Sequence, residues 1–291
     1  MNSVEQVGII GLGLVGKALA SRFLDAGAVV AGYDIDPAAR AVARAMGVVV
    51  DDDPRDVARQ CSTLLLSLPN PAVIRDVLWG EQGIASACRH DSLILDTSTT
   101  DPADTVEHHE RLDGIGIKYV DACLVGASDA IARGEAVVLV GDTEASASYL
   151  SSLRVISGAL YFLGSPGAGN RAKLAVNLVL GLNRLVLAEG LSFGVKAGLD
   201  PAQLLQILKS SAAYSKVMEN KGDRMLNANF EPVARISQHA KDVDLIIAAA
   251  EYCGARVPLT HLHAEILSDA IAAGWGELDN SAVIKTYTER G

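Results

Sequence analysis

The chain has 291 residues, 49% of them hydrophobic, enough to bury a sizeable core in one or two domains without disulfide or metal staples. A formal net charge of -10 argues against duplex or single-stranded nucleic acid as a partner, because phosphate backbones need a concentrated basic surface. The four cysteines, Cys61, Cys88, Cys123 and Cys253, have neither metal-like nor redox-like spacing and read as thiols of a reducing compartment. MNSVEQ carries no basic region ahead of an apolar signal, and no apolar run reads as a bilayer span, so a soluble cytoplasmic protein is expected.

Residues 4–10 form a short apolar strand ending on Gly11-Leu12-Gly13-Leu14-Val15-Gly16, and a helical pattern follows through Ala18, Leu19, Phe23 and Leu24. In this context the glycines read as a dinucleotide fingerprint. The first allows a tight turn, the second lets a pyrophosphate approach the backbone, and the third lets helix and strand pack closely, while helix N-terminal amides face the phosphates. A second strand over residues 28–33 ends on Asp34, with Asp36 close behind. A carboxylate there accepts from a free ribose 2'-hydroxyl and repels a 2'-phosphate, which favours NAD over NADP while leaving NADP possible. The competing reading makes the glycines an ordinary turn and Asp34 a helix cap before Pro37.

Helices are predicted over residues 38–46, 54–60 and 72–78, and strands over 48–50 and 63–68, the latter broken by Pro69-Asn70-Pro71. A strand over 93–96 runs into Thr97-Ser98-Thr99-Thr100-Asp101-Pro102, a hydroxyl-rich turn that caps a helix near 103–112. Such alternation predicts an α/β fold, a Rossmann-type doubly wound parallel sheet. Ligands of these sheets sit beyond the carboxyl ends of the strands, so the turns at Gly11, at Leu68-Pro69 and at Thr99 should line one cleft. Residues 97–100 also read as cap chemistry alone.

Strands are predicted at 119–123, 136–140 and 161–163, with a loop over 124–135 that carries Val125-Gly126-Ala127-Ser128. Alternation then stops. The domain boundary is placed near residue 164, giving a nucleotide-binding domain over 1–164 and an all-helical domain over 165–291 with helices at 201–211, 215–226, 240–253, 259–273 and 281–289. The second domain is entered by a helix from about 167 to 197 that is apolar on nearly every side, the mark of a buried helix. Lys173 and Asn177 interrupt that apolarity at a spacing of four, on one helical face and close enough to touch one ligand. A buried ammonium needs a task or a counter-ion, or else the lysine snorkels its amine to solvent. A desolvated lysine can exchange a proton with a reacting hydroxyl, since burial lowers its pKa.

Four ordered stretches, GLGLVG, DACLVGASDAIARGEAVVLVG, GAGNRAKLAVN and HAKDVDL, give the chain its resemblance to the 3-hydroxyacid dehydrogenase family, over essentially its full length. The resemblance implies hydride transfer between NAD(P) and a small anionic hydroxy acid or its oxo counterpart. It also implies Lys173 as catalytic residue, Asn177 at substrate, Lys241 and Thr99 near the cofactor, and a homodimer or homotetramer. Two departures stand out. The family loop D-A-P-V-S-G-G holds the substrate carboxylate through its serine and following amides, but here Val125 stands at the serine, leaving the amides of Gly126 and Ala127 and the Ser128 hydroxyl. Val176 replaces the first asparagine of K-x-x-N-N.

His239, His261 and His263 lack an acidic partner at metal spacing, so no metal site is expected. Lys241 also reads as a surface lysine paired with Asp242 or Asp244, and Asp279 as the N-cap of the last helix. Competing functions are a non-catalytic NAD(H)-binding regulator, a phosphorylated sugar-acid dehydrogenase lacking an evident basic cluster, and an imine reductase, against which Lys173 weighs.

Overall fold

The computed structural model describes residues 6–143 and 149–289, so Val4 and Glu5 of the first predicted strand lie outside it. Two compact units meet in sequence between Lys173 and Leu174. In the first, β1 (Gln6–Ile10), α1 (Leu14–Asp25), β2 (Val29–Tyr33), α2 (Pro37–Ala45), β3 (Val49–Val50), α3 (Pro54–Gln60), β4 (Thr63–Leu66) and α4 (Pro71–Trp79) alternate as the sequence indicates. They continue as β5 (Leu93–Asp96), α5 (Pro102–Asp113), β6 (Lys118–Val125), α6 (Ser128–Ala132), β7 (Ala136–Val140), α7 (Leu150–Ile156) and β8 (Ser157–Phe162).

Together the strands form one sheet in the order β3-β2-β1-β4-β5-β6-β7-β8. From β3 to β6 every pairing is parallel, which leaves the strands buried on both faces and their sequences uniformly apolar, as in Leu64-Leu65-Leu66. β7 departs from the expected parallel sheet by running antiparallel to β6. The cause is the length of the connection, because only residues 126–135 separate the two strands and a parallel crossover takes a dozen or more. α1 and α7 bury Leu19, Phe23, Leu153 and Ile156 on one face of the sheet, while Val57, Ile74, Leu78 and Leu112 cover the other. Each such side chain contributes roughly 1.5–3 kcal/mol.

Helix starts follow one local rule. Asp36, Asp53, Asn70 and Asp101 each precede a proline and accept, respectively, from the amides of Ala38 (2.8 Å), Arg55 (2.8 Å), Val73 (2.9 Å) and Ala103 (2.8 Å). The cap of α2 is therefore Asp36, not Asp34, and the cap of α5 is Asp101, which leaves residues 97–100 available for other contacts.

The second unit is helical. α8 (Ala168–Lys196) begins in the first unit and continues into it, followed by α9 (Pro201–Ser210), α10 (Asp223–Leu226), α11 (Ile236–Cys253), α12 (Pro258–Ala272) and α13 (Lys285–Thr288). The predicted helix over 215–226 is a π-helical turn, Met218–Gly222, running into α10, and the one over 281–289 is a 3-10 turn, Asn280–Ile284, running into α13. α8 is, by length and composition, apolar enough to cross a bilayer, contrary to the reading that no run is. Its Leu185, Leu187, Ala188 and Leu191 lie in the unit's core, the behaviour of a core helix in a folded domain. It is not buried all round, however, since Val179, Val186 and Phe193 are 55%, 68% and 74% exposed.

The close of this unit rests on Asp279, whose fully buried side chain caps the 3-10 turn through Ser281 N (3.0 Å) and Oγ (2.7 Å). It also accepts from Lys221 Nζ (2.8 and 2.9 Å) and from the amides of Val233 and Ala234 (both 3.1 Å). Burial pushes this carboxyl up, but the Lys221 and Ser281 bonds more than offset it and hold the group below the usual carboxylate range. Its contribution to stability is therefore complete above the unfolded value of about 3.9 and is lost as pH falls towards the folded one. Asp279→Ala strands Lys221 as an unpaired, mostly buried cation and should destabilise the chain by about 3–5 kcal/mol in urea titrations. An unchanged midpoint would contradict this assignment.

Candidate active site

The turn between β1 and α1 is shaped by close approach. Gly11 has φ of 93°, and a Cβ on it would sit 2.2 Å from the Ser67 carbonyl oxygen. A Cβ at Gly16 would lie 1.8 Å from the Gly11 oxygen, so the first turn of α1 is pressed against the loop. At exposed Gly13, by contrast, a Cβ would meet nothing within 4 Å, which leaves open space directly over the loop. The first bond into α1 is from Lys17 N to Gly13 O (3.0 Å), and the first turn holds no acidic residue. The amides of Leu14, Val15 and Gly16 thus present the positive end of the helix to that space. Asp34 closes the arrangement by accepting from Leu12 N (2.6 Å) and Asp36 N (2.8 Å), which fixes its carboxylate beside the glycine loop. The chemistry of this cradle suits a pyrophosphate over Gly13, facing free helix amides, and a ribose hydroxyl at the fixed acceptor Asp34.

The turns after β4 and β5 are tied to each other. Ser98 Oγ accepts from Leu68 N (2.9 Å), and Thr97 Oγ1 donates to Leu66 O (2.6 Å). Beneath them Asp96 accepts from Ser98 N (2.9 Å) and from the Tyr119 hydroxyl (2.6 Å). Burial pushes the Asp96 carboxyl up to about 6, against the lowering effect of these bonds. Pro69 is exposed and Thr99 half-buried at the ends of the tied turns, on the same edge of the sheet as the glycine loop.

β6 runs to Val125, beyond its predicted end, so Val125 completes a strand and Ala127 precedes α6, whose first residue is Ser128. Gly126, with φ of 151°, makes the bend between them, and both Gly126 and Ala127 are exposed. Asp121 on the same strand accepts from Gly167 N (3.0 Å) and Asn170 N (2.9 Å) and so anchors the start of α8. Burial raises its carboxyl, and these backbone bonds counter the rise. One turn further along α8 is Lys173, half-buried and close enough to the buried Cys123 thiol for its charge to act on it.

In the second unit Asn177 is buried and donates through Nδ2 to Asp242 Oδ2 (3.1 Å), while Lys241 Nζ lies 3.2 Å from Asp242 Oδ1. Asp242 thus fixes two of the residues read from the sequence. Its own part was missed because it was weighed only as a surface partner for Lys241. His239 and His263 pack with ring centroids 5.1 Å apart, and burial followed by Arg184 takes His263 down to about 4, so it is neutral. No group of three potential metal ligands occurs among the described residues.

Residues 6–164 match the NAD-binding domain of 6-phosphogluconate dehydrogenase, and residues 167–287 match the NAD-binding region of NADP-dependent 3-hydroxyisobutyrate dehydrogenase. The chain is 32% identical to 2-(hydroxymethyl)glutarate dehydrogenase of Eubacterium barkeri, covering 99% of this chain and 97% of that one. It is 28% identical to 2-hydroxy-3-oxopropionate reductase of Escherichia coli, covering 96% of each. A crystal structure of 3-hydroxyisobutyrate dehydrogenase from Salmonella typhimurium superposes with a TM-score of 0.88 at 28% identity, over 97% of this chain and 99% of that one. With the glycine cradle, the tied turns and a lysine one turn into α8 all in place, these matches mean that the chain belongs to the 3-hydroxyacid dehydrogenase family, oxidoreductases that move a hydride between a nicotinamide dinucleotide and a small hydroxy acid.

Proposed function

We propose that Lys173 is the general acid and base of this reaction, that NAD is preferred over NADP, and that the substrate is a small 3-hydroxy carboxylate or its semialdehyde. The observation that carries the reading is the anchoring of α8 by Asp121, which holds a half-buried lysine at a set position one turn from a buried anchor. When bound, the nicotinamide ring accepts or gives the hydride. The chain's own part is the proton. In oxidation the neutral amine of Lys173 takes it from the substrate hydroxyl, and in reduction its ammonium returns it to the carbonyl oxygen and polarises that group beforehand. Thr99, the Leu68-Pro69 turn and Lys241 are the remaining residues assigned to cofactor binding, from their place beyond the strand ends or on the family resemblance.

Substrate selection falls to Val125, Gly126, Ala127, Ser128 and Asn177. With no hydroxyl at Val125, the exposed amides of Gly126 and Ala127 and the Ser128 hydroxyl are the donors left in this loop for a carboxylate. Asn177, its amide oriented by Asp242, presents a fixed hydrogen-bonding group one turn beyond Lys173. The relatives named for 2-(hydroxymethyl)glutarate and 2-hydroxy-3-oxopropionate support small, anionic substrates. Asp34 supports NAD, because its carboxylate is locked in place and would face a 2'-phosphate with like charge.

The exposed side chains of Val179, Val186 and Phe193 recur every seven residues along α8, forming an apolar stripe suited to a second copy of the chain. This stripe supports a homodimer or homotetramer, and the four free cysteines support a reducing compartment such as the cytoplasm. Sedimentation at micromolar concentration should give a dimer or larger, and Phe193→Asp should shift it towards monomer; monomer alone in the unaltered chain would remove this part of the reading.

NAD reduction across a panel of 3-hydroxypropionate, 3-hydroxyisobutyrate, glycerate, threonate and 2-(hydroxymethyl)glutarate should reveal turnover. Lys173→Ala should lower kcat on the best acid by about 10²- to 10⁴-fold with NADH affinity nearly unchanged. No turnover on any acid, or lost NADH binding in the variant, would count against the assigned role. Asp34→Ala should bring the kcat/KM values for NAD and NADP closer together, and an unaltered ratio would refute the ribose contact.

A further inference from the structure

Lys173 can serve its role only if α8 starts at one height and one rotation relative to the turns that border the cofactor. We propose that Asn170, seated on Asp121, is the positioning residue that locks the first turn of α8 to the Thr97-to-Thr100 turn and thereby sets the reach of the Lys173 amine. The inference rests on the acid–base reading of Lys173.

Three observations in the first unit carry it. First, the start of α8 has no capping side chain of its own: residues 167–169 are Gly-Ala-Gly, and the first turn has no acidic residue. The cap comes instead from β6. Asp121 Oδ1 accepts from Gly167 N (3.0 Å) and Oδ2 from Asn170 N (2.9 Å), a carboxylate at the positive end of the helix. The fit is too close for side chains on the helix, since a Cβ at Gly169 would lie 2.7 Å from Asp121 Oδ2. Asp121 grips the helix end through backbone amides on one side, and a side-chain contact from another element adds a second hold on its rotation.

Second, Asn170 supplies that rotational lock. It is fully buried, its Oδ1 accepts from Thr100 N (3.0 Å) and its Nδ2 donates to Thr105 Oγ1 (3.1 Å). Both ends of one rigid amide are therefore used, one on the turn after β5 and one on α5. Third, the choice of residue costs stability locally. Asparagine is a poor helix former, and what keeps it here is its buried partners, since an alanine would leave the Thr100 amide without its acceptor. A buried amide retained at this point specifies register between two elements, and Lys173 stands three residues on, where side chains share the helix face. Displacement of a reacting group by about 1 Å can cost as much as about 10²-fold in rate.

The test compares Asn170→Ala and Thr105→Val in the full chain, assayed with NAD and whichever acid of the panel turns over fastest. Thr105→Val is nearly isosteric and removes only the hydroxyl, so it reports even if Asn170→Ala folds poorly. Asn170→Ala should lower kcat by about 10- to 100-fold with KM and NADH affinity close to wild type, and Thr105→Val should give a smaller loss of the same kind. In the cofactor-free protein, amide hydrogen exchange over residues 167–174 should quicken in Asn170→Ala, as expected of a loosened helix start. The deciding readout is a double-mutant cycle. Once Lys173 is alanine there is no amine to position, so adding Asn170→Ala should cost nothing further. A wild-type kcat in both single variants, or the same fold-loss repeated in the Lys173→Ala background, would overturn the inference while leaving the acid–base reading intact. A wild-type rate in Lys173→Ala itself would bring down both.

Discussion

Two carboxyl groups, Asp96 at the end of β5 and Asp121 within β6, stand side by side on adjacent parallel strands, paired in register and buried. Such a pair is costly, because burial and like charge both oppose ionisation. Each is offset from a different direction. Asp96 takes the Tyr119 hydroxyl and the Ser98 amide, and through Ser98 it steadies the turn carrying Leu68 and Pro69. Asp121 takes the opening amides of α8. The turns proposed to border the nucleotide and the helix that bears Lys173 are consequently referred to one buried polar layer. The positions of the chemical groups are set by hydrogen bonds rather than by apolar packing, which tolerates small slides.

This layer could not be read from the sequence. Asp96 and Tyr119 are separated by 23 residues and Asp121 and Asn170 by 49, and nothing local marks an aspartate in a strand as the partner of a distant helix end. What could be read were features whose cause lies within a few residues. The glycine fingerprint declared itself through its spacing between a strand and a helix, with Gly16 pressed against the nearby Gly11 oxygen, and the cap bonds of Asp36, Asp53, Asn70 and Asp101 are of the same local kind, each spanning two or three residues. Lys173 and Asn177 were legible for a related reason, two polar groups one turn apart in an apolar helix. The reversal of β7 was missed because the predicted strands left twelve residues, 124–135, between them, and only the longer β6 of the structure shortens the connection to 126–135.

The second unit taught a different lesson about apolar sequence. A helix rich in leucine and valine on all sides suggested complete burial, yet Val179, Val186 and Phe193 are exposed while Leu187, Ala188 and Leu191 are in the core. Composition cannot separate a helix buried by its own domain from one that keeps a stripe for another surface, and the packing of the unit's other helices and turns decides which face is covered. Asp242 was overlooked for a similar reason, since its partner Asn177 is on a different helix.

The central claim, that the amine of Lys173 exchanges the proton while the glycine cradle holds the dinucleotide, is tested most directly by a crystal structure of the chain with NADH and a non-reacting hydroxy-acid analogue. The account predicts Lys173 Nζ within about 2.6–3.2 Å of the oxygen at the reacting carbon, and the pyrophosphate over Gly13 against the amides that open α1. A lysine amine turned to bulk water with a different side chain bonded to that oxygen, or a dinucleotide bound away from Gly13, would contradict it.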